Sequence, residues 1–274
     1  MISVFVVLLS FVLIVVGMIS LTKRAEMDPR FSIGFRVPTT LVSRRMWRKM
    51  NRLAGVLTVI IGFISLALGL ITNEVYALMF TVSSLSFALG SLSLYSSRIL
   101  EKETGKEEGG EEPIRTLPEV KVTYKVIVFA FFVLTIATIY LYVFYPALPD
   151  ILAVHFDIRG KPNYFISKDM FTLSFLLLFF SIVYVFSSIL LSAQGTPLPK
   201  EKAERILTMV RVFEIFLIII PVLFTFVIVE IVYYNLAHKH FLDLDMFVLS
   251  YTIPLFTSII YVINYPMRKL RSIW

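Results

Sequence analysis

The chain has no cysteine and carries few charged residues for its length. The absence of cysteine from 274 residues excludes disulfides, thiol catalysis and thiolate metal sites. Charged residues make up 16% of the chain and hydrophobic residues 58%, with a mean hydropathy of +0.84, which excludes an ordinary soluble domain. No GxxxxGK, GxGxxG or GxSxG element occurs, so no motif points to nucleotide binding or to serine chemistry.

Seven apolar stretches are long enough to cross a bilayer. A hydrocarbon core of roughly 30 Å needs about 20 apolar residues in helical form. The first stretch is interpreted as a retained span, because Lys23 and Arg24 follow it, whereas a signal peptide carries its positive charges in front. The sequence thus predicts an all-α, polytopic membrane helix bundle with seven transmembrane helices, at residues 2–21, 53–72, 75–97, 126–145, 170–192, 206–235 and 246–265.

A charged segment divides these spans into two groups. Its central part reads EKETGKEEGGEEP and contains no large apolar residue, so it is predicted to be solvated and flexible. The expected organisation is a three-span region at 1–97, a cytoplasmic linker at 98–121, and a four-span region at 122–274 with an outer loop at 145–169.

Small residues recur at spacings of three and four along the second and third spans. Between membrane helices, close backbone approach across small residues provides much of the attraction. The two seams are therefore predicted to pack against each other. They consist of Gly55, Thr58, Gly62, Ser65, Gly69 and Thr72 in the second span, and of Ser83, Ser86, Gly90, Ser93 and Ser97 in the third.

The basic residues are distributed very unevenly between alternate loops. Of 26 Lys and Arg residues, four fall on one predicted side, namely Arg159, Lys161, Lys168 and Lys239. Because Lys and Arg accumulate in cytoplasmic loops, the N-terminus is predicted outside and the C-terminus in the cytoplasm of a multi-pass protein of the cell membrane. The basic residues crowd at the ends of the spans, where the phosphates they face are those of lipids, so direct nucleic acid binding is not expected.

The first cytoplasmic loop, residues 23–52, holds the densest basic cluster. Thr39 and Thr40 are suited to start a helix, on which apolar residues occupy one arc and basic residues the opposite arc. The pattern predicts a short amphipathic helix at the lipid interface, with Trp47 among the headgroups. This surface could contact anionic lipid, dock a soluble partner, or do both. The candidate partner-binding residues are Arg36, Arg44, Arg45, Trp47, Arg48 and Arg52.

The same loop carries a spaced motif. It reads Gly34-x-Arg36-x-Pro38-x-Thr40, followed by Trp47-x3-Asn51-x3-Gly55 at the entry to a span. The motif resembles the signature of the SdpI-like membrane immunity proteins, over roughly the first hundred residues. That resemblance implies a membrane protein that holds a cytosolic regulator on its inner face. Arg36 has two readings, as a structural clamp between spans or as a planar fork for a carboxylate or phosphate.

The outer loop carries a second motif, Leu148-Pro149-x5-His155-Phe156-Asp157-x2-Gly160-x-Pro162. It resembles a small domain of unknown function that commonly accompanies SdpI-like regions, although there it usually precedes the arginine motif. β-Prone residues flank a Gly-Lys-Pro-Asn turn, which predicts a small hairpin packed on the ends of the spans. On extended chain, His155 and Asp157 would point to the same side.

All three histidines lie on the outer side under this orientation. Glu230 is costly inside lipid and is predicted to face the bundle or an aqueous cleft. Arg211 and Glu214, three apart, are expected to form a local ion pair. The acidic and histidine side chains could together bind zinc or another divalent metal, a possibility that the sequence leaves open. The candidate ligand-binding residues are His155, Asp157, Arg159, Glu230, His238 and His240.

These features predict a non-enzymatic immunity or signal-receptor protein without a cofactor. Its outer face would recognise an extracellular peptide or an envelope toxin, and its inner basic face would hold a cytosolic regulator against anionic lipid headgroups. One alternative is a small-solute transporter in which Glu230, Pro221 and Pro254 mark a pathway through broken helices. The other is an outward-facing metal-binding protein or metalloenzyme.

Overall fold

The structure, a computed structural model, describes residues 4–22, 34–72, 74–104, 119–157, 159–197 and 203–241. Within these ranges the chain is a bundle of long helices with one β-hairpin. The helices are α1 (Val4–Leu21), α2 (Arg44–Ile71), α3 (Glu74–Thr104), α4 (Tyr124–Phe144), α5 (Lys168–Ala193) and α6 (Ala203–Ala237). The strands are β1 (Ile151–Phe156) and β2 (Pro162–Ser167), and short 3-10 turns cover Pro38–Leu41 and Tyr145–Ala147.

Five helices, α2 to α6, are long and apolar enough to cross a membrane, and α1 is a shorter apolar helix. The predicted all-α membrane bundle is therefore confirmed as a class. The predicted seventh span at 246–265 lies outside the described residues.

The predicted interfacial helix in the basic loop is wrong. The basic residues form the first turns of α2, which continues without a break into the span. This helix starts at Ser43, whose side chain accepts a hydrogen bond from the Met46 amide at 3.1 Å, while Thr39 and Thr40 belong to the preceding 3-10 turn. A serine cap therefore fixes the helix start.

Residues 98–104, predicted as the beginning of the flexible linker, instead complete α3. Ile99 and Leu100 are buried there against Met46 and Met50 of α2. The apolar side of α3 thus extends beyond its apolar span and stabilises these additional turns.

The two small-residue seams face different partners from those predicted. Gly55 and Gly62 of α2 approach α1: a Cβ on Gly55 would lie 2.9 Å from the Gly17 carbonyl oxygen. A Cβ on Gly62 would lie 2.7 Å from Ile14 Cγ1. Helices α2 and α3 do pack against each other as predicted, but through larger side chains such as Met50 and Leu92. The glycines of the two seams face other helices, because spacing identifies the small face of a helix but not the helix that covers it.

The seam of α3 packs on α5 instead, joining the two halves of the chain. A Cβ on Gly90 would lie 2.6 Å from Tyr184 Cε1, and the hydroxyls of Ser93 and Ser192 are 2.6 Å apart. Trp47 of α2 adds to this junction, since it belongs to the same buried core as α4, α5 and α6.

The hairpin and the basic cluster lie at opposite ends of the bundle. Ser174, near the start of α5, contacts Met79, near the start of α3, so these helices run parallel. The hairpin precedes α5 directly and therefore lies at their starting end. The basic loop lies at their finishing end, where the Thr39 hydroxyl is 2.5 Å from that of Ser96.

Candidate functional site

The predicted hairpin is confirmed, with β1 and β2 antiparallel and two register shifts near its turn. Asp157 organises the turn, because one of its carboxylate oxygens accepts from the amides of Arg159 and Lys161 at 2.8 and 2.9 Å. Gly160 has φ 73°, a conformation that glycine adopts without strain. Asp157 thus serves the turn rather than standing beside His155 as a free ligand.

His155 and Arg159 are exposed on the hairpin. The Nδ1 atom of His155 lies 2.5 Å from the side-chain oxygen of Asn163 on β2. This pair joins the two strands next to the turn, at the place where their register shifts. His155 and Arg159 remain the two predicted ligand-binding side chains that the hairpin presents outward.

His240 clamps the hairpin turn to the end of α6. Its Nδ1 atom is 2.6 Å from a carboxylate oxygen of Glu230, and its Nε2 atom is 2.8 Å from the carbonyl oxygen of Gly160. The other carboxylate oxygen of Glu230 accepts from the Phe241 amide at 3.1 Å. Glu230 therefore faces the bundle as predicted, and its side-chain partner is His240.

The hydrogen bonds of His240 require protons on both sides of the ring. A carbonyl oxygen only accepts, so Nε2 must donate to Gly160, and a second proton must lie between Nδ1 and Glu230. Desolvation lowers the pKa of His240, but the Gly160 carbonyl and the adjacent Glu230 carboxylate outweigh it and raise the pKa above its ordinary value. The clamp thus holds one more proton than a neutral imidazole beside a carboxylate.

The described residues contain no group of three His, Asp or Glu side chains that could hold a metal ion. His155 is engaged with Asn163, and His240 with Glu230. His238 ends α6 in a left-handed conformation, with φ 53°, and its side chain is exposed. The predicted ligand set is therefore divided between the hairpin, the clamp and the end of α6.

Asn235 is a site residue that the sequence interpretation missed. From α6 its side-chain oxygen accepts from the Ala153 amide, and its side-chain nitrogen donates to the Ala153 carbonyl, both at 2.9 Å. The amide therefore pairs with β1 as another strand would. The signal in the sequence was a lone amide on an otherwise apolar helix face.

Asn51 makes the same double contact at the opposite end. Its oxygen accepts from the Phe35 amide at 2.6 Å, and its nitrogen lies 3.4 Å from the Phe35 carbonyl oxygen. A Cβ on Gly34 would lie 2.0 Å from that Asn51 oxygen, so the loop requires glycine there. The guanidinium carbon of Arg36, two residues further on, is 6.0 Å from the centroid of the Trp47 ring, within the range of a cation–π contact.

Trp47 does not lie among headgroups as predicted, since it is 1% exposed in the main core. The continuous α2 turns it toward Leu41 and the neighbouring helices. Trp47 is therefore unable to form part of an exposed docking surface, and the prediction that it binds a partner directly is wrong.

The remaining basic residues line a groove between the end of α1 and the start of α2. The groove has a volume of about 970 Å³, and none of the described residues that line it is acidic. Apolar side chains, namely Leu21, Leu53 and Val56, line it together with the basic ones. The predicted residues Arg44, Arg45, Arg48 and Arg52 are thus brought together, joined by Lys49.

A second polar cluster lies at this same end. Arg211 and Glu214 form the predicted ion pair on α6. The other oxygen of Glu214 accepts from the Thr123 amide at 3.0 Å, and the Gln194 side chain accepts from the Val122 amide at 2.9 Å. Glu214 is thereby a structural group that secures the segment entering α4.

Two family models match the chain. Residues 27–145 match the SdpI/YfhL protein family, and residues 132–180 match a domain of unknown function (DUF1648). The first match includes α2, α3 and α4, and the second includes the hairpin. The resemblance inferred from the two loops is confirmed at the level of these families, and the chain is an integral membrane protein similar to both.

Among the curated proteins and the solved structures, none matches the chain significantly.

Proposed function

We propose that the protein is a non-enzymatic immunity or signal-receptor protein of the cell membrane. Its outer hairpin recognises an extracellular peptide or envelope toxin, and its basic groove holds a cytosolic regulator. The observation that carries the proposal is the separation of two different polar surfaces, a hairpin and a basic groove, at opposite ends of one bundle. The similarity to the SdpI/YfhL family supports it.

The basic groove supports the regulator role through its charge. Arg44, Arg48, Lys49 and Arg52 are exposed on successive turns of α2. They are held in place by the buried side of the same helix, including Met46 and Met50. A partner with a matching acidic surface would be steered to this site, and anionic lipid headgroups would meet the same charges in its absence.

The regulator role is tested by replacing Arg44, Arg48 and Arg52 together with glutamine. Cytosolic proteins bound to membranes that contain the variant are compared with those bound to the wild type. In a matched control, three other exposed basic residues, Arg98, Lys121 and Lys125, are replaced with glutamine, which removes the same net charge. We expect one or more bound proteins to be lost from the groove variant alone; equal recovery from all three membranes would contradict the role.

The outer role is tested with peptides displayed on phage and selected against the full chain in lipid nanodiscs. Peptides that bind the groove are removed by requiring equal binding to the groove variant. We expect the remaining peptides to bind less well when His155 and Arg159 are both replaced with alanine. If no peptide is selected, or if none depends on the hairpin, outer recognition is wrong.

The transporter alternative receives no comparable support. Both oxygens of Glu230 are occupied by His240 and Phe241, so this carboxylate closes a loop instead of lining an open path. Pro254 lies outside the described residues. The metal alternative lacks a ligand cluster within the described ranges.

A further inference from the structure

We propose that the peptide binds as a third strand along the edge of β2 that faces away from β1, centred on Phe165; no strand among the described residues pairs with this edge. This inference rests on the proposed outer recognition and specifies how it occurs. It follows from the direction of backbone hydrogen-bonding groups in the hairpin. Recognition would use main-chain hydrogen bonds for affinity and a few side-chain contacts for selection.

The hydrogen bonds around Ala153 define which groups of β2 point outward. In an antiparallel pair, opposite residues alternate between those that bond to each other and those whose amides and carbonyls both point away. Ala153 is opposite Phe165, and its amide bonds to Asn235 on the far side from β2. Phe165 must therefore direct its own amide and carbonyl away from β1.

A second bond confirms this alternation. Lys168 donates its amide to the Asp150 carbonyl at 3.0 Å, which makes that pair a bonded one. In the next pair, Ile151 and Ser167, the backbone amides and carbonyls therefore point away from the partner strand. The following pair, Leu152 and Ile166, is bonded, and in the pair of Ala153 and Phe165 these groups again point away. The amide of Ser167 thus joins that of Phe165 on the outer edge.

Among the described residues, the two edges of the hairpin differ in the groups that bond to them. The edge of β1 is closed at Ala153, because the Asn235 side chain supplies one acceptor and one donor. At Phe165 the corresponding acceptor and donor face outward. An added strand would supply an acceptor for the Phe165 amide and a donor for the Phe165 carbonyl, as the Asn235 side chain does for Ala153. We therefore infer that the occupant is an extended peptide backbone.

Side chains at this edge provide an anchor for such a peptide. Phe165 is 53% exposed and Ile151 is 64% exposed, and the strand register places both on the same face of the hairpin. The site is short, since β2 ends at one side in α5, which Ser167 caps. At the other side the register shifts near Asn163, which bonds to His155. A guest segment of a few residues fits between these limits.

The first test uses a hairpin-dependent peptide from the selection and methylates its backbone amides one at a time. Binding to the wild-type chain in nanodiscs is measured by fluorescence polarisation. Methylation of amides that face β2 should weaken binding at least about fivefold each, whereas methylation of the alternate amides should have little effect. Loss without alternation, or no loss at all, overturns strand addition.

The second test changes the protein. Phe165→Pro removes the outward amide without removing a bond to β1, and proline is tolerated at such edge positions. It should weaken the same peptide at least about tenfold, whereas Phe165→Leu, which keeps the amide and an apolar side chain, should weaken it less. Unchanged binding to the proline variant overturns the proposal.

The outcomes separate this inference from the function on which it rests. One outcome is a peptide that needs His155 and Arg159 for binding, yet is weakened equally by methylation of any amide and binds Phe165→Pro as well as the wild type. That result would support outer recognition and contradict strand addition. A selection without any hairpin-dependent peptide removes both. If Phe165→Pro fails to fold, the methylation series on the wild-type chain still decides.

Discussion

Two asparagine amides, Asn51 and Asn235, substitute for peptide groups at opposite ends of the bundle. The side-chain oxygen of each accepts from the backbone amide of a distant residue, and its side-chain nitrogen donates to the carbonyl of that same residue, which is Phe35 for Asn51 and Ala153 for Asn235. Both are buried, so removal of either would leave backbone groups without partners. Such groups are costly away from water, which explains why these two polar residues occur on apolar helices.

Replacing Asn235 with alanine should lower the free energy of unfolding by about 2 kcal/mol, because the amide and carbonyl of Ala153 lose their partners. Thermal unfolding in detergent micelles measures the effect. The control is Asn163→Ala, which removes an exposed hydrogen bond and should change stability by about 0.5 kcal/mol or less. Equal losses in the two variants would contradict the assigned role of Asn235.

The His240 clamp should make the stability of the protein depend on pH. A histidine whose pKa is raised by folding binds its proton more tightly in the folded state. Its contribution is therefore fully present below the unfolded pKa of about 6.5 and is lost as the pH rises through the folded value. The groups that face the ring are the Glu230 carboxylate, the Gly160 carbonyl, and the rings of Phe156 and Tyr234.

Comparison of the wild type with His240→Gln tests this dependence. The melting temperature of the wild type should exceed that of the variant at pH 6, and the difference should shrink as the pH is raised to 9. His155→Gln serves as the control, since His155 is exposed and bonds to a neutral amide. A difference that is constant with pH would show that the clamp acts without its extra proton.

At the residue scale, the sequence predicted contacts that are local and missed those that are distant. The pair of Arg211 and Glu214 followed from helical spacing alone. The pairing of Glu230 with His240 depends on the left-handed turn at His238, which no spacing rule indicates. Asn235 contacts a residue 82 positions away, so its role required the tertiary structure.

Among the elements, the helices and the hairpin were predicted, but the helices that cover the glycines of the two seams were not. The Gly-Lys-Pro-Asn turn between β-prone segments was sufficient to predict β1 and β2. The small-residue seams also identified the correct faces of α2 and α3. They could not specify neighbours, because Gly62 and Gly90 look alike in sequence while one approaches α1 and the other α5.

The contact between α3 and α5 can be tested by crosslinking, because the chain has no cysteine of its own. Ser93 and Ser192 have hydroxyls 2.6 Å apart, so cysteines at both positions should form a disulfide on mild oxidation. Protection from a maleimide polymer reports the bond. The control pairs Tyr95→Cys with Ser192→Cys, because Tyr95 is exposed on α3; crosslinking of the control pair alone would contradict the assigned packing.

At the scale of the whole molecule, the chain is a bundle with a different surface at each end. The groove end carries a cluster of arginines, and the hairpin end carries the clamp. The parallel course of α3 and α5 puts these surfaces on opposite sides of any bilayer that the bundle crosses. This arrangement agrees with the alternation of basic loops along the sequence, which remains the argument for which end is inside.

The orientation predicts opposite labelling of two single-cysteine variants in intact cells. Tyr164→Cys lies on β2 and Arg44→Cys at the entrance of α2, and both side chains are exposed. If the groove end faces the cytoplasm, as the distribution of basic residues predicts, a membrane-impermeant maleimide should label position 164 in intact cells and position 44 only after lysis. Labelling of both variants after lysis controls for reactivity. The reverse pattern in intact cells would place the hairpin inside, and no extracellular peptide could then reach the edge of β2.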